Sequence, residues 1–290
     1  MSTDAAPLPE GERLYNARLA VAHHPRIFDG WARASATVRA GAPCRLDLAY
    51  GPHAMERLDL FLPQGRPRGT LMYIHGGYWR SLDKSDASIV APPFTAAGYA
   101  VAVVNYALCP AVGVETIVTQ VRRAATWLAA HHAEWNAPAG RLFACGHSAG
   151  GHLAAMLLAT EPDVAAAVCV SALYDLRPLL QVPSVVEATR FTPHSVQALS
   201  PALLKPLTGA PLLTAIGSDE NPGFHAQLDA IRDSWRHVHA GHVACPGLDH
   251  FTILDALTQP DGAIAVAALR LMQSFDTTNP TASASSSASS

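Results

Sequence analysis

The sequence predicts a doubly wound α/β fold, a mostly parallel sheet with helices on both faces. Three observations predict it. Residues 70–75, 99–106, 142–145, 165–171 and 211–216 are almost continuously apolar, as strands covered on both faces read. Amphipathic helical patterns alternate with these runs, which implies parallel neighbours joined by helical crossovers. And the run 142–145 passes through Gly146-His147-Ser148-Ala149-Gly150 into the turn-free apolar segment 151–160, so a strand and a helix meet at a one-residue corner.

The elements follow in order. Residues 44–50 and 57–62 alternate polar and apolar side chains around the turn Gly51-Pro52, which suits the antiparallel edge of a sheet. Val114, Ile117, Val118, Val121, Ala125 and Leu128 mark the apolar face of a helix, with Gln120, Arg122 and Arg123 opposite. Asn221-Pro222 offers a cap and a first-turn proline to a helix striped by Phe224, Leu228, Ile231 and Trp235. A last helix spans about 263–274. The proline-rich segment 176–206 interrupts the alternation between two strands and reads either as a small cap or as an ordinary long connection. One domain over 1–275 results. Residues 276–290, ending in TASASSSASS, are expected to form a disordered Ser/Ala-rich tail.

Composition narrows the function. With 49% hydrophobic and 15% charged residues the chain is globular, and a net charge of −3 supplies no basic field for nucleic acid. No run approaches the roughly 18 apolar residues of a membrane span. The start, MSTDAAPLPEGERLYN, meets charge and proline too early for a signal peptide. The five cysteines (Cys44, Cys109, Cys145, Cys169, Cys245) are odd in number and dispersed. That pattern fits neither a disulfide framework nor a zinc knuckle, and a cytoplasmic location is expected. A homodimer is compatible with this reading.

The corner at Ser148 has the form of the nucleophile elbow of an α/β-hydrolase. A serine there sits in a strained backbone conformation, and Gly146 and Gly150 spare the room that side chains would take. Activating the serine needs a base, and the base needs a carboxylate to hold its tautomer. In this fold they follow in the order serine, acid, histidine. Asp219, in the phrase AIGSDE after the strand 211–216, is favoured as the acid, with Glu220 its adjacent competitor; Asp233 lies inside a helix pattern. His250, in the loop phrase GLDHFT, is the expected base. His237, His239 and His242 lie beside or inside elements, and His147 and His152 are too near the elbow; His152 is expected to pack or hydrogen-bond. For the oxyanion, the Ala149 N–H and the backbone of Gly76 and Gly77, in the His75-Gly76-Gly77-Tyr78-Trp79 turn, are candidates.

Together HGGYW, VNYALCP, GHSAGGHLA, SALYDLRPL and GLDHF resemble the arylformamidase (kynurenine formamidase) branch of the α/β-hydrolases, over about residues 14–275. HGG and GxSxG are shared by many esterases; HGGYW with YALCP and LYDLRP is more particular. From the related hormone-sensitive-lipase-like esterases the chain departs at Tyr78, where a third glycine is usual, and at His147, where an acid is usual. It also lacks their Asp-Pro-Leu phrase near Asp219. The resemblance implies Ser148, Asp219 and His250 as triad and Gly76, Gly77 and Ala149 as oxyanion donors. It implies hydrolysis of the formyl amide of N-formyl-kynurenine, a small aromatic substrate, through a formyl-serine. Tyr78 and Trp79 are candidates either to face the aromatic ring or to pack in the core. Phe191 and Arg190 are candidates for the ring and the amino-acid carboxylate. No cofactor or metal is expected, since the histidines show no HExxH spacing. The rival functions are a carboxylesterase acting on small acyl esters and, more remotely, a non-catalytic binding module.

Overall fold

Eight strands form one sheet in the computed structural model, which describes residues 8–276. They are β1 (Cys44–Ala49), β2 (Arg57–Phe61), β3 (Thr70–Ile74), β4 (Ala100–Val104), β5 (Leu142–His147), β6 (Val164–Val170), β7 (Leu212–Gly217) and β8 (His239–Cys245). Their spatial order is β1-β2-β4-β3-β5-β6-β7-β8. β2 is antiparallel to both β1 and β4, and every later pairing is parallel. The apolar runs behave as their composition demands: β3, β4, β5 and β7 are buried along their whole length. Each fully buried Leu, Ile or Val there contributes about 1.5–3 kcal/mol relative to exposure.

β1 is the exposed edge, but β2 departs from the expected half-polar strand. Its polar residue Asp59 is fully buried because the Lys84 ammonium meets its carboxylate at 2.7 Å.

Helices α1 (Glu10–Tyr15), α2 (Ala17–Ala20) and α3 (His24–Gly41) precede the sheet. α4 (Ala91–Ala96), α5 (Val114–His131) and α6 (Ala149–Thr160) lie between strands. α5 buries the six predicted apolar positions, and Gln120 joins them rather than the polar face. Its amide oxygen accepts the Ala107 N–H at 2.8 Å, which satisfies both groups away from water. α6 is buried from Ala149 to Leu158, the all-round apolar character of a helix enclosed by the fold.

The segment 176–206 folds as α7 (Pro183–Thr189) and α8 (Pro193–Ala198) flanked by 3-10 turns. Glu12 of α1 ties to it, accepting the Ser184 N–H at 2.8 Å and the Ser184 hydroxyl at 3.0 Å. α9 (Pro222–Ser234) opens at Asn221, as expected, but that side chain does not cap the helix. It donates instead to the Arg13 carbonyl at 2.8 Å, a second tie to the N-terminal helices. α10 (Asp255–Thr258) and α11 (Ala263–Gln273) complete the fold. Asp276, assigned above to the tail, pairs with Arg141 at 2.6 Å and also with Arg68. The rest of the expected tail, 277–290, lies outside the described residues.

The register of the central strands sets the site. Ile74 of β3 lies beside Gly146 of β5, so the turns leaving both strands emerge side by side at their carboxyl ends. β7 and β8 end on the same edge.

Candidate active site

Ser148 is the single residue between β5 and α6, held at φ +56° and ψ −120°. Such a conformation costs on the order of 1–3 kcal/mol in a non-glycine residue. Its neighbours leave no alternative. A Cβ on Gly146 would stand 2.1 Å from the Gly150 carbonyl oxygen, and one on Gly150 would stand 2.0 Å from that of Ile74. Both positions have to be glycine for the corner to close.

From this corner a hydrogen-bonded chain runs inward. The Ser148 hydroxyl lies 3.0 Å from His250 Nε2, and His250 Nδ1 lies 2.6 Å from Glu220 Oε2. Glu220 accepts at its other oxygen from the Ser171 hydroxyl at 2.5 Å and the Gly217 N–H at 2.8 Å. All three side chains are buried. With the Glu220 carboxylate on Nδ1, that nitrogen carries the proton, and Nε2 is left to accept from the serine. Phe224 packs on the imidazole at 4.2 Å between ring centroids.

The carboxylate that meets His250 is therefore that of Glu220 and not, as expected, that of Asp219. Asp219 is exposed, and its carboxylate accepts from the Ser218 hydroxyl at 2.7 Å. The cause is the turn after β7. Residues 218 and 219 swing out to solvent, and Glu220 folds back so that its carboxylate takes the Gly217 N–H three residues earlier. His147 is also closer to the chemistry than its proximity to the elbow suggested. Its Nε2–H donates to the His250 carbonyl at 2.7 Å. Burial, and then His250 itself, bring its pKa down to about 3, so it stays neutral.

The oxyanion candidates flank Ser148. Ala149 is the first residue of α6, where a backbone N–H has no intrahelical acceptor and the helix dipole is positive. Gly76 lies against the elbow: a Cβ there would come 2.8 Å from the His147 oxygen and 3.2 Å from the Ser148 Cβ. Gly77, at φ +100°, begins a tight turn that Tyr78 and Trp79 continue in the left-handed region. The Tyr106 hydroxyl braces that turn by donating to the His75 carbonyl at 2.8 Å.

Ser148 and His250 sit in a cleft with Gly77, Tyr78, Leu82 and Phe251. Its cover is Ala17 and Arg18 of α2 and Phe28 and Trp31 of α3. Of the four residues expected to contact substrate, Tyr78 lines the cleft, its phenol donating to the Tyr15 carbonyl. Trp79 is fully buried against His152 at 5.1 Å and Phe191 at 5.6 Å, so Trp79 and Phe191 pack with each other. Arg190 is exposed at the end of α7. None of these three, and no other residue of 176–206, is among the residues that line the cleft. His152 Nε2–H donates to the Leu199 carbonyl at 2.8 Å. Sequence reasoning missed Arg18, Phe28 and Trp31; the i, i+3 spacing of the last two, which places them on one helix face, was the available signal.

Among the described residues no cluster of His, Cys, Asp and Glu is placed to hold a metal ion, and no helix is long and apolar enough to cross a membrane.

Residues 58–181 match the BD-FAE family. A solved structure of a candidate thioesterase from Silicibacter is 32% identical and superposes with a TM-score of 0.81, covering 89% of this chain and 99% of its own. The chain belongs to the α/β-hydrolases. Within that family it is similar to the kynurenine formamidase of Salmo salar, 29% identical over 86% of this chain and 88% of that protein. An esterase of Pyrobaculum calidifontis, 17% identical with a TM-score of 0.71 over 93% of this chain and 99% of its own, shares the α/β-hydrolase fold.

Proposed function

We propose that this α/β-hydrolase is a serine hydrolase that cleaves the formyl amide of N-formyl-kynurenine to formate and kynurenine. The observation that carries the reading is the Ser148–His250–Glu220 chain opening onto a cleft lined by Tyr78, Phe28, Trp31 and Phe251. The Ser148 hydroxyl attacks the formyl carbon as His250 Nε2 takes its proton. Glu220 holds the imidazole and stabilises its positive charge. The oxyanion faces the Ala149 N–H and the backbone of Gly76 and Gly77. His250 then returns the proton to the aryl nitrogen, the C–N bond breaks, and kynurenine leaves as an amine. Water, deprotonated by the same imidazole, attacks the formyl-serine and releases formate and the free serine. The likeness to kynurenine formamidases supports this substrate class.

A carboxylesterase would use the same groups, because a triad fixes the reaction type and not the acyl or leaving group. A formyl group carries only hydrogen on its carbonyl carbon, so the formamidase reading expects the smallest acyl group to be preferred. A formyl, acetyl and butyryl series of one aryl amide tests this: kcat/KM should fall steeply, each ill-fitting methylene costing about 10–200-fold. N-formyl-kynurenine should be turned over at least as efficiently as p-nitrophenyl acetate. Good hydrolysis of butyrate esters with negligible deformylation would overturn the formamidase reading.

A further inference from the structure

Arg18 is a half-buried arginine in the cover of the cleft. It lines the cleft with Ser148 and His250, its guanidinium 5.5 Å from the centroid of the Phe28 ring. Its Nη2 donates to the Ser81 hydroxyl at 2.6 Å, and Ser81 in turn donates to the Gly77 carbonyl at 2.9 Å. Among the described residues no carboxylate stands within ion-pair distance of it. Other half-buried arginines of the fold do have such partners, as Arg141 has Asp276. The charged side chain that acts on Arg18 is a second cation, Arg80. Burial and that cation both disfavour its charge, so an anion entering the cleft would relieve both. A guanidinium carries five N–H donors in a planar fork matched to a carboxylate, and Ser81 occupies one of its nitrogens.

We propose that Arg18 is a specificity-determining residue: its guanidinium, seated on Phe28, binds the carboxylate of an amino-acid leaving group whose aryl ring lies in the aromatic cleft. This rests on the hydrolase reading above and deepens it. The ligand class is an anionic aromatic amine with an amino-acid side chain. Arg18 takes the role that sequence reasoning gave to Arg190, which is exposed and outside the cleft.

The test compares matched pairs on wild type, Arg18→Met and Arg18→Lys. Methionine keeps an apolar stem on Phe28, and lysine keeps the charge without the fork. The first readout is the ratio of kcat/KM for N-formyl-kynurenine to that for its carboxamide. The second is the ratio of inhibition constants of kynurenine carboxamide and kynurenine against p-nitrophenyl acetate hydrolysis. Wild type should favour the carboxylate at least tenfold in both. Arg18→Met should bring both ratios near one, mostly through KM, with Arg18→Lys between. A wild-type ratio near one, or a variant that loses both substrates equally and keeps its ratio, overturns the assignment. The two hypotheses separate cleanly. If deformylation is absent but kynurenine inhibits in an Arg18-dependent way, the anion site stands and the formamidase reading falls.

Discussion

The imidazole of His147 donates its Nε2–H to the backbone carbonyl of His250 at 2.7 Å, joining the residue before Ser148 to the loop that carries His250. The two rings are 4.9 Å apart, and Trp31 meets His147 edge-on at 6.4 Å. The spacing between Ser148 and His250 thus depends on a buried side chain outside the Ser148–His250–Glu220 chain.

Replacing His147 by phenylalanine should keep the ring contacts and remove the donor. The His250 carbonyl would be left unsatisfied at a cost of about 1–3 kcal/mol. The expected outcome is a kcat lowered roughly tenfold through a displaced base, with KM little changed. His147→Gln, which can restore an N–H donor, should recover part of the loss. Thermal unfolding and steady-state kinetics on the two variants check this.

Glu220→Gln should lower kcat/KM by about 10³–10⁴-fold, since the imidazole loses the charge that holds its tautomer. Asp219→Asn should stay within about threefold of wild type, because that carboxylate is exposed and accepts from the neighbouring Ser218 hydroxyl, away from His250. The reverse ranking in a single kinetic comparison would return the acid to Asp219.

Ser148→Ala should abolish labelling by a fluorophosphonate probe and cut turnover by several orders of magnitude, and adding His250→Ala should cost little more. Ser148→Gly is equally inactive but should be the more stable of the two by about 1 kcal/mol. Glycine adopts φ +56° and ψ −120° with less strain than alanine. Denaturant titration of the two inactive proteins measures the difference.

Acid should unfold the protein earlier than its carboxylates alone would dictate. His147 and His152 are buried neutral, with pKa values brought down to about 3 and about 4, chiefly by desolvation. In the unfolded chain both titrate near 6.5. Between those limits the unfolded state binds more protons, so stability is full above about pH 6.5 and falls as pH drops. Each group contributes a slope of up to about 1.4 kcal/mol per pH unit. His152→Gln should flatten the pH dependence of unfolding by about one such increment.

What could be read in the sequence was what local sterics or two-faced burial dictates. The corner at Ser148 was legible because Gly146 and Gly150 are required by backbone contact within the motif itself. β3, β5 and β7 were legible because full burial admits little but apolar residues. The choice between Asp219 and Glu220 was not, because the two are adjacent and only the path of the turn after Gly217 decides which one faces inward. Gln120 looked like surface because its partner, the Ala107 N–H, lies thirteen positions away along the chain. The cover of the cleft was hidden most completely. Ala17 and Arg18 belong to a four-residue helix too short to show a period, and their place over Ser148 is set by tertiary ties such as Asn221 to Arg13.

That cover is built from residues 17–31, whereas Ser148, His250 and Glu220 come from turns and loops at the ends of the sheet. If Arg18 reads the leaving group as proposed, reactivity and this part of selectivity are written in different stretches of the chain. On that proposal, an exchange of this short N-terminal passage between relatives should redirect the choice of leaving group while the hydrogen-bonded serine stays as it is. The same partition makes the first helices a natural library for directed evolution, with a scaffold that need not be re-optimised after each round.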